Sequence, residues 1–225
     1  MKRTSTLILI LSTLIMSACT SLPPAYDYSQ FRNSDPKSII ILPPTNQSTE
    51  VIAPYSLMTQ LTAPIAESGY YVYPVALVDQ TFQNNGLTVA EDIHAVPTAK
   101  LYEIFGADAA LYIDIVEYGT SYVVISSNTV VTVGAKLVDL KTGALLWEGA
   151  ASASSAENRS SSGGGLIGML VEAAVHQIIE TVVDTGYDVS AIASSRLVSS
   201  KAHNGLLHGP RSTKYGQPAT SEKVK

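Results

Sequence analysis

The feature that most restricts this chain is its single cysteine, Cys19, which stands directly behind an apolar run near the N-terminus. One cysteine can form no internal disulfide and no thiolate metal cluster. Ahead of it, Lys2 and Arg3 make a short basic head. Thr4 to Met16 is apolar, with Leu7, Ile8, Leu9, Ile10, Leu11, Leu14 and Ile15, and Ser17-Ala18 are small. Basic head, short apolar helix and small residues are the order of an export signal. The run is shorter than the roughly 20 residues that span a bilayer, so a cleaved or lipidated end is expected rather than a permanent transmembrane helix. An exported chain without a disulfide must stand on burial alone, and about 200 residues suffice for one sizeable core.

Ile15-Met16-Ser17-Ala18-Cys19 resembles the bacterial lipobox, with Met16 where Leu is more usual. The resemblance implies a diacylglycerol on the Cys19 sulfur, cleavage after Ala18 and a further palmitate-type acyl chain on the new amine. Each buried methylene contributes about 0.8 kcal/mol, so several chains on one residue make a lasting anchor. Residues 1–18 are thus expected to be a signal peptide. Thr20, where Asp would imply inner-membrane retention, implies the outer membrane, periplasmic face, and leaves surface exposure open. Cleavage removes Lys2 and Arg3, leaving 12 basic against 19 acidic residues and moving the net charge from −5 to −7. A mildly acidic chain is a poor nucleic-acid binder.

Residues 19–37 read as a lipidated tether, since Pro23-Pro24, Asp27, Asn33, Asp35 and Pro36 interrupt any periodicity. The domain is expected over 38–200. Ser38 to Leu42, closed by Pro43-Pro44, is a β-branched run of the buried, parallel kind. Tyr55 to Ser68 predicts a helix, with Pro64 as a kink in its last turn and Gly69 ending it. A short strand over Tyr70–Val75 follows, then helices over Val75–Gln83 and Thr98–Phe105. Ala109 to Tyr118 predicts a strand turned by Gly119-Thr120-Ser121. Tyr122–Ile125 and Asn128–Asp139 predict further β structure, Leu140-Lys141-Thr142-Gly143 a tight turn, and Leu145–Gly149 a returning strand. Ala150–Gly165 reads as a flexible loop by composition. Leu166–Thr185 predicts an apolar helix, Gly186-Tyr187-Asp188 a break, and Val189–Ser199 a final helix. Residues 201–225, with five Lys or Arg against Glu222 alone, predict a disordered basic tail. The fold class is therefore α/β: a mixed sheet, βαβα followed by an antiparallel meander, flanked by helices, with a C-terminal helical pair in a single domain.

Several short patterns invite a catalytic or ligand reading. Ser160 to Gly168 is glycine-rich before a helix, but the Lys-Ser/Thr that grips phosphate and metal is missing. Ser34-Asp35-Pro36-Lys37, Ser126-Ser127-Asn128 and Lys141-Thr142-Gly143 follow the order of the penicillin-binding enzymes. Yet Ser34 lies in the tether and only twelve residues separate Asn128 from Lys141. Glu172, His176 and Glu180 share a helical face that reads as solvated, because one helix rarely completes a metal site. His94, His203 and His208 have no neighbour in sequence that would make a base. Asp108, Asp114 and Asp139 flank strands, with no partner named by the sequence. The expectation is no catalytic residue, no metal site, no cofactor and no enzyme.

Taken together, the lipobox, Ile39 to Pro44, Ala107-Asp108-Ala109, the Asp139 to Gly143 turn with Leu146-Trp147, and the Gly-rich approach to an apolar helix resemble the GNA-type family of Gram-negative lipoproteins. Its domain has no assigned function. The pattern is also similar to the periplasmic domain of the curli-secretion channel lipoprotein CsgG, to lipoprotein activators of peptidoglycan synthases and to the N-terminal domain of TolB. The resemblance implies an α/β domain that binds other envelope proteins, and no catalytic residues. The leading expectation is a non-catalytic assembly module of the cell envelope, joined to itself or to a CsgG-like lipoprotein. The broad apolar share of Leu166–Thr185 makes Leu166, Leu170, Val175, Ile179 and Val182 candidate interface residues. Core burial and membrane contact are the other roles open to that helix. The alternative is a regulator of a peptidoglycan synthase or other envelope enzyme.

Overall fold

The computed structural model describes residues 26–123, 126–158, 185–201 and 204–218. Cys19 and residues 166–184 of the helix expected over 166–185 lie outside the described residues, and Thr185 opens the helix that follows. The strands are β1 (Ser38–Ile41), β2 (Thr45–Asn46), β3 (Tyr71–Val72), β4 (Ala109–Val123), β5 (Ser126–Asp139) and β6 (Leu145–Ser154). They form one mixed sheet in the order β3-β1-β4-β5-β6, with β2 also on β4. β1 runs parallel to β3 and β4, whereas β4, β5 and β6 are antiparallel. The helices are α1 (Ser29–Ser34), α2 (Ala53–Glu67), α3 (Val75–Asn84), α4 (Ala90–His94), α5 (Thr98–Phe105) and α6 (Thr185–Leu197). The mixed α/β class read from the sequence is the class found. Among the described residues no helix is long and apolar enough to cross a membrane.

The strand period of two explains the layering. Ile39 and Ile41 of β1 point into one core with Leu57, Leu61 and Ile65 of α2 and Val189, Ala193 and Leu197 of α6. Ile40 and Leu42 point into a second core with Val78 and Phe82 of α3, Ile93 of α4 and Leu101 of α5. A strand buried on both faces needs an unbroken apolar run, which is what Ile39 to Leu42 supplies. Among the described residues, β5 and β6 are covered on one face only. Val131, Val133, Ala135 and Leu137 face the first core, while Lys136, Glu148, Ala150 and Ser152 face water.

Several expectations are corrected. Gly119 does not turn the chain: β4 runs on to Val123, and Gly119 pairs with Val130 in the ladder. Ala150 to Ser154 is not a loop but the second half of β6, followed by a short 3₁₀ turn, Ser155–Asn158. Its Ala151 and Ala153 face the core, paired with Val133 and Val131, while Ala150 and Ser152 face water. Gly186 does not break α6. It is buried in the helix because Tyr118 packs over it, and a Cβ there would lie 2.7 Å from Tyr118 Cε1.

The termini of the described body are corrected too. Tyr28 and Phe31 are buried in the first core, so 26–37 is part of the body and not of a loose tether. Residues 204–218 form a strap across the same end of the molecule. Leu206 and Leu207 are buried, Tyr28 Oη donates to the Gly205 carbonyl (2.6 Å) and Tyr70 Oη to that of Leu207 (2.6 Å). The Gly209 amide donates to the Ser68 carbonyl (2.8 Å). Composition hid this, because two leucines and a few backbone groups suffice to order so short a segment once tyrosines elsewhere supply the donors.

Candidate functional site: two polar clasps and an apolar crevice

The aspartates that the sequence left without partners acquire them through the sheet. Asp108 precedes β4 beside the start of β1. Its Oδ2 accepts from the amides of Lys37 (3.0 Å) and Ser38 (3.2 Å) and from Ser38 Oγ (3.0 Å). Its Oδ1 pairs with Lys141 Nζ at 3.1 Å. Asp139 ends β5, and its Oδ1 closes the following turn by accepting from the amides of Lys141 (2.8 Å) and Thr142 (2.7 Å) and from Thr142 Oγ1 (2.9 Å). Ser34 Oγ donates to the other oxygen. Burial works to raise both carboxyl pKa values, but these donors outweigh it and hold both below the ordinary aspartate range. Carboxylates saturated in this way tie α1, β1, β4 and the β5–β6 turn together. They are poor proton acceptors.

Asp114, on β4, accepts from Thr45 Oγ1 of β2 at 2.5 Å. The three fragments with the order of a penicillin-binding enzyme do not converge. Ser34 meets the Lys141–Gly143 turn through Asp139, but its hydroxyl is committed to that carboxylate. Asn128 pairs with Ser121 at the far end of the β4–β5 ladder, whereas Asp139 pairs with Ala109. Eleven strand residues, roughly 37 Å at about 3.4 Å each, separate them. Asn128 instead accepts from Ser154 Oγ at 2.6 Å. Among the described residues no group of three His, Cys, Asp or Glu side chains gathers at one point. Glu172, His176, Glu180 and His203 lie outside the described residues.

The opening that the fold positions best is at the C-terminal end of β1. There the sheet order reverses, with β3 on one side of β1 and β4 on the other. α2 covers one face, α3 to α5 the other, and a crevice is left between them, where open α/β sheets take ligands. Pro43-Pro44 ends β1 and floors it. The crevice is about 310 Å³ and is lined by Pro43, Pro44, Tyr55, Met58, Asp79 and Ile93, among others. Val51 and Tyr55, which line it, stand in water, 84 % and 53 % exposed, and Ile52, next to Val51 in sequence, is 50 % exposed. In the sequence these residues are not distinguished from core, because they fall at or just before the start of an amphipathic helix.

His94 packs behind the same floor. Its Nε2–H donates to the Pro43 carbonyl at 2.9 Å, and its ring meets Tyr112 edge-on at 5.2 Å. Burial lowers its pKa, against the raising effects of the Pro43 bond and of the Asp114 and Glu91 charges. At neutral pH it is a neutral brace under Pro43. Some polar groups at the crevice are engaged, as in Gln83 Nε2 donating to Asp79 Oδ2 at 2.7 Å, while Thr88 and Glu91 also line it. The crevice offers apolar contact area beside these polar groups. The candidate interface residues Leu166, Leu170, Val175, Ile179 and Val182 lie outside the described residues, as does Cys19.

A family model described as "Putative lipoprotein GNA1162-like" matches residues 26–211 of the chain, a span that takes in α1 and most of the strap. The curated "Putative lipoprotein NMB1124/NMB1162" of Neisseria meningitidis serogroup B is 47% identical over 201 residues, covering 89% of this chain and 93% of the relative. The crystal structure of lipoprotein GNA1162 from Neisseria meningitidis superposes with a TM-score of 0.52 at 48% identity, over 64% of this chain and 99% of that one. The likeness to CsgG and TolB domains rests on sequence pattern alone.

Proposed function

Because this chain belongs to the GNA1162-like lipoprotein family, we propose that it is a non-catalytic interaction module held by a lipid on Cys19 to the periplasmic face of the outer membrane. The observation that carries the reading is the set of large apolar side chains around the crevice at the end of β1. Val51 and Tyr55, which line it, and Ile52 beside them in sequence are left in water. Exposed apolar clusters of this kind mark protein contacts, and the partner is another envelope protein or a second copy of the chain. The apolar face of 166–185, with Leu166, Leu170, Val175, Ile179 and Val182, is the second proposed contact.

The test is the native mass of the lipidated protein, purified from membranes in mild detergent and measured by light scattering beside a Cys19→Ala form lacking residues 1–18. A discrete complex in both supports an assembly module. A monomer in both, with no partner retained, overturns self-assembly.

The regulatory alternative, contact with a peptidoglycan synthase, is narrowed by the position of Tyr26. The body begins seven residues after Cys19, so any such contact is made close to the membrane.

A further inference from the structure

We infer that the strap over 204–218, together with the neighbouring Lys201, is the surface this domain lays on anionic phospholipid headgroups. The inference rests on the proposed lipid anchor at Cys19 for its geometry, and on the strap itself for its chemistry.

The first observation is distance. Tyr26 is already fastened to the body, since the Glu148 amide donates to its hydroxyl at 3.0 Å and its ring meets that of Tyr28 at 4.8 Å. Seven Cα steps from Cys19 to Tyr26 reach at most about 25 Å at ~3.5 Å each. A domain so held cannot wander across the periplasm. One surface near Tyr26 must face the headgroups.

The second observation is what surrounds that exit. Asn204 Nδ2 donates to the carbonyl of Glu148 at 2.9 Å, so Asn204 and Tyr26 hold the same residue of β6. Tyr28 holds Gly205. At the other end of the strap, Tyr215 Oη donates to Asp35 Oδ1 at 2.6 Å, and α1 between Tyr28 and Asp35 is only about 9 Å long at 1.5 Å per residue. The whole strap therefore lies within reach of the tether exit.

The third observation is charge. The strap and its approach carry Lys201, Arg211 and Lys214, all exposed, and no Asp or Glu between 201 and 218. The chain as a whole has more acids than bases, so this surface is set apart. Arg211 lies over the Tyr71 ring, 5.4 Å from its centroid, which holds the guanidinium in place with no carboxylate bound to it among the described residues. Of the acids nearby, Asp27 accepts from the Ser29 amide at 2.9 Å and keeps its charge, and Glu67, next to the Ser68 that holds Gly209, is exposed. Asp35 holds Tyr215, and Glu148 stands opposite Lys136 in the β5–β6 ladder. A basic surface beside a short lipid tether is the second signal that a lipid-anchored domain uses.

The experiment uses the non-lipidated chain from residue 19 with Cys19→Ser, so that binding reports the body and not the acyl chains. It is sedimented with vesicles of phosphatidylethanolamine, with and without phosphatidylglycerol. Binding is expected only to the anionic vesicles and should fade with added salt. Each basic residue near such a surface contributes about fivefold, so K201E/R211E/K214E should weaken binding by on the order of 100-fold or more. K201Q/R211Q/K214Q guards against a variant that fails to fold, and its thermal melt is read beside the parent's. Equal binding to both vesicle types, unchanged binding by a folded triple variant, or binding to isolated peptidoglycan in preference to vesicles would overturn the proposal. Acylation of Cys19 is read separately by the intact mass of the membrane-purified protein, so failure of the anchor and failure of the strap are distinguishable.

Discussion

Gly69 and Gly209 meet backbone to backbone: a Cβ on Gly209 would stand 2.7 Å from the carbonyl oxygen of Gly69. Gly69 also has φ +100, a conformation closed to most side chains, and its own Cβ would fall 2.5 Å from the Ser212 amide. This contact fastens the strap to the turn between α2 and β3. Gly209→Ala is therefore expected to cost about 1–3 kcal/mol by overpacking, and to expose the strap to limited proteolysis before the rest of the body unfolds. A variant with an unchanged melting midpoint and an unchanged digestion pattern would contradict the contact.

Trp147 ties the other end of the strap. It is the only tryptophan in the chain, it is fully buried, and its Nε1–H donates to the Asn204 carbonyl at 2.5 Å. Trp147→Phe should cost about 1–3 kcal/mol by leaving that carbonyl unpaired and the site underfilled. In the parent, tryptophan emission should shift to the red when the chain is cut before Asn204. If emission does not move, the strap does not shield the indole.

Acid should act through the two aspartate clasps. The folded pKa values of Asp108 and Asp139 are lowered, so their contribution is fully present above the unfolded value near 3.8 and is lost as pH falls through the folded values. Urea midpoints should be flat above about pH 5 and drop below about pH 4. Asp139→Asn should lower stability at neutral pH by about 1–3 kcal/mol and make the acid limb shallower. Parallel pH curves for parent and variant would show that Asp139 carries none of the linkage.

Around the crevice, the prediction separates interface from core. Val51→Asp and Tyr55→Asp alter exposed side chains and should leave stability within about 0.5 kcal/mol. If the crevice is the contact, both should reduce the mass of the detergent-purified complex. A stable variant that keeps its full mass would remove the crevice from the interface.

What the sequence determined by itself is what neighbouring residues can decide. Ile39 to Leu42 reads as a two-sided buried strand because four successive apolar residues suit no half-exposed one. Thr98 to Phe105 reads as a helix closed by Gly106, and β5 turns at Leu140 to Gly143 because Gly143 accepts φ +74. The lipobox pattern at Cys19 is equally local. Together with the β-rich second half, these were enough for the α/β class.

The tertiary structure decided everything whose partners are far along the chain. Tyr28 and Gly205 are 177 residues apart, Tyr70 and Leu207 137, Trp147 and Asn204 57. Each looks like an ordinary loop or surface residue until the sheet brings its partner to it. Asp108 shows the same division: the sequence placed it beside a strand, but its donors at Ser38 and Lys141 lie 70 and 33 residues away. Only the parallel pairing of β1 with β4, and the return of β5, sets them within hydrogen-bonding distance. Side-chain type is written locally, whereas satisfaction of a buried polar group depends on which backbone the fold delivers to it. For that reason a segment rich in Gly, Pro and Lys could read as a free tail and yet be bound as a strap.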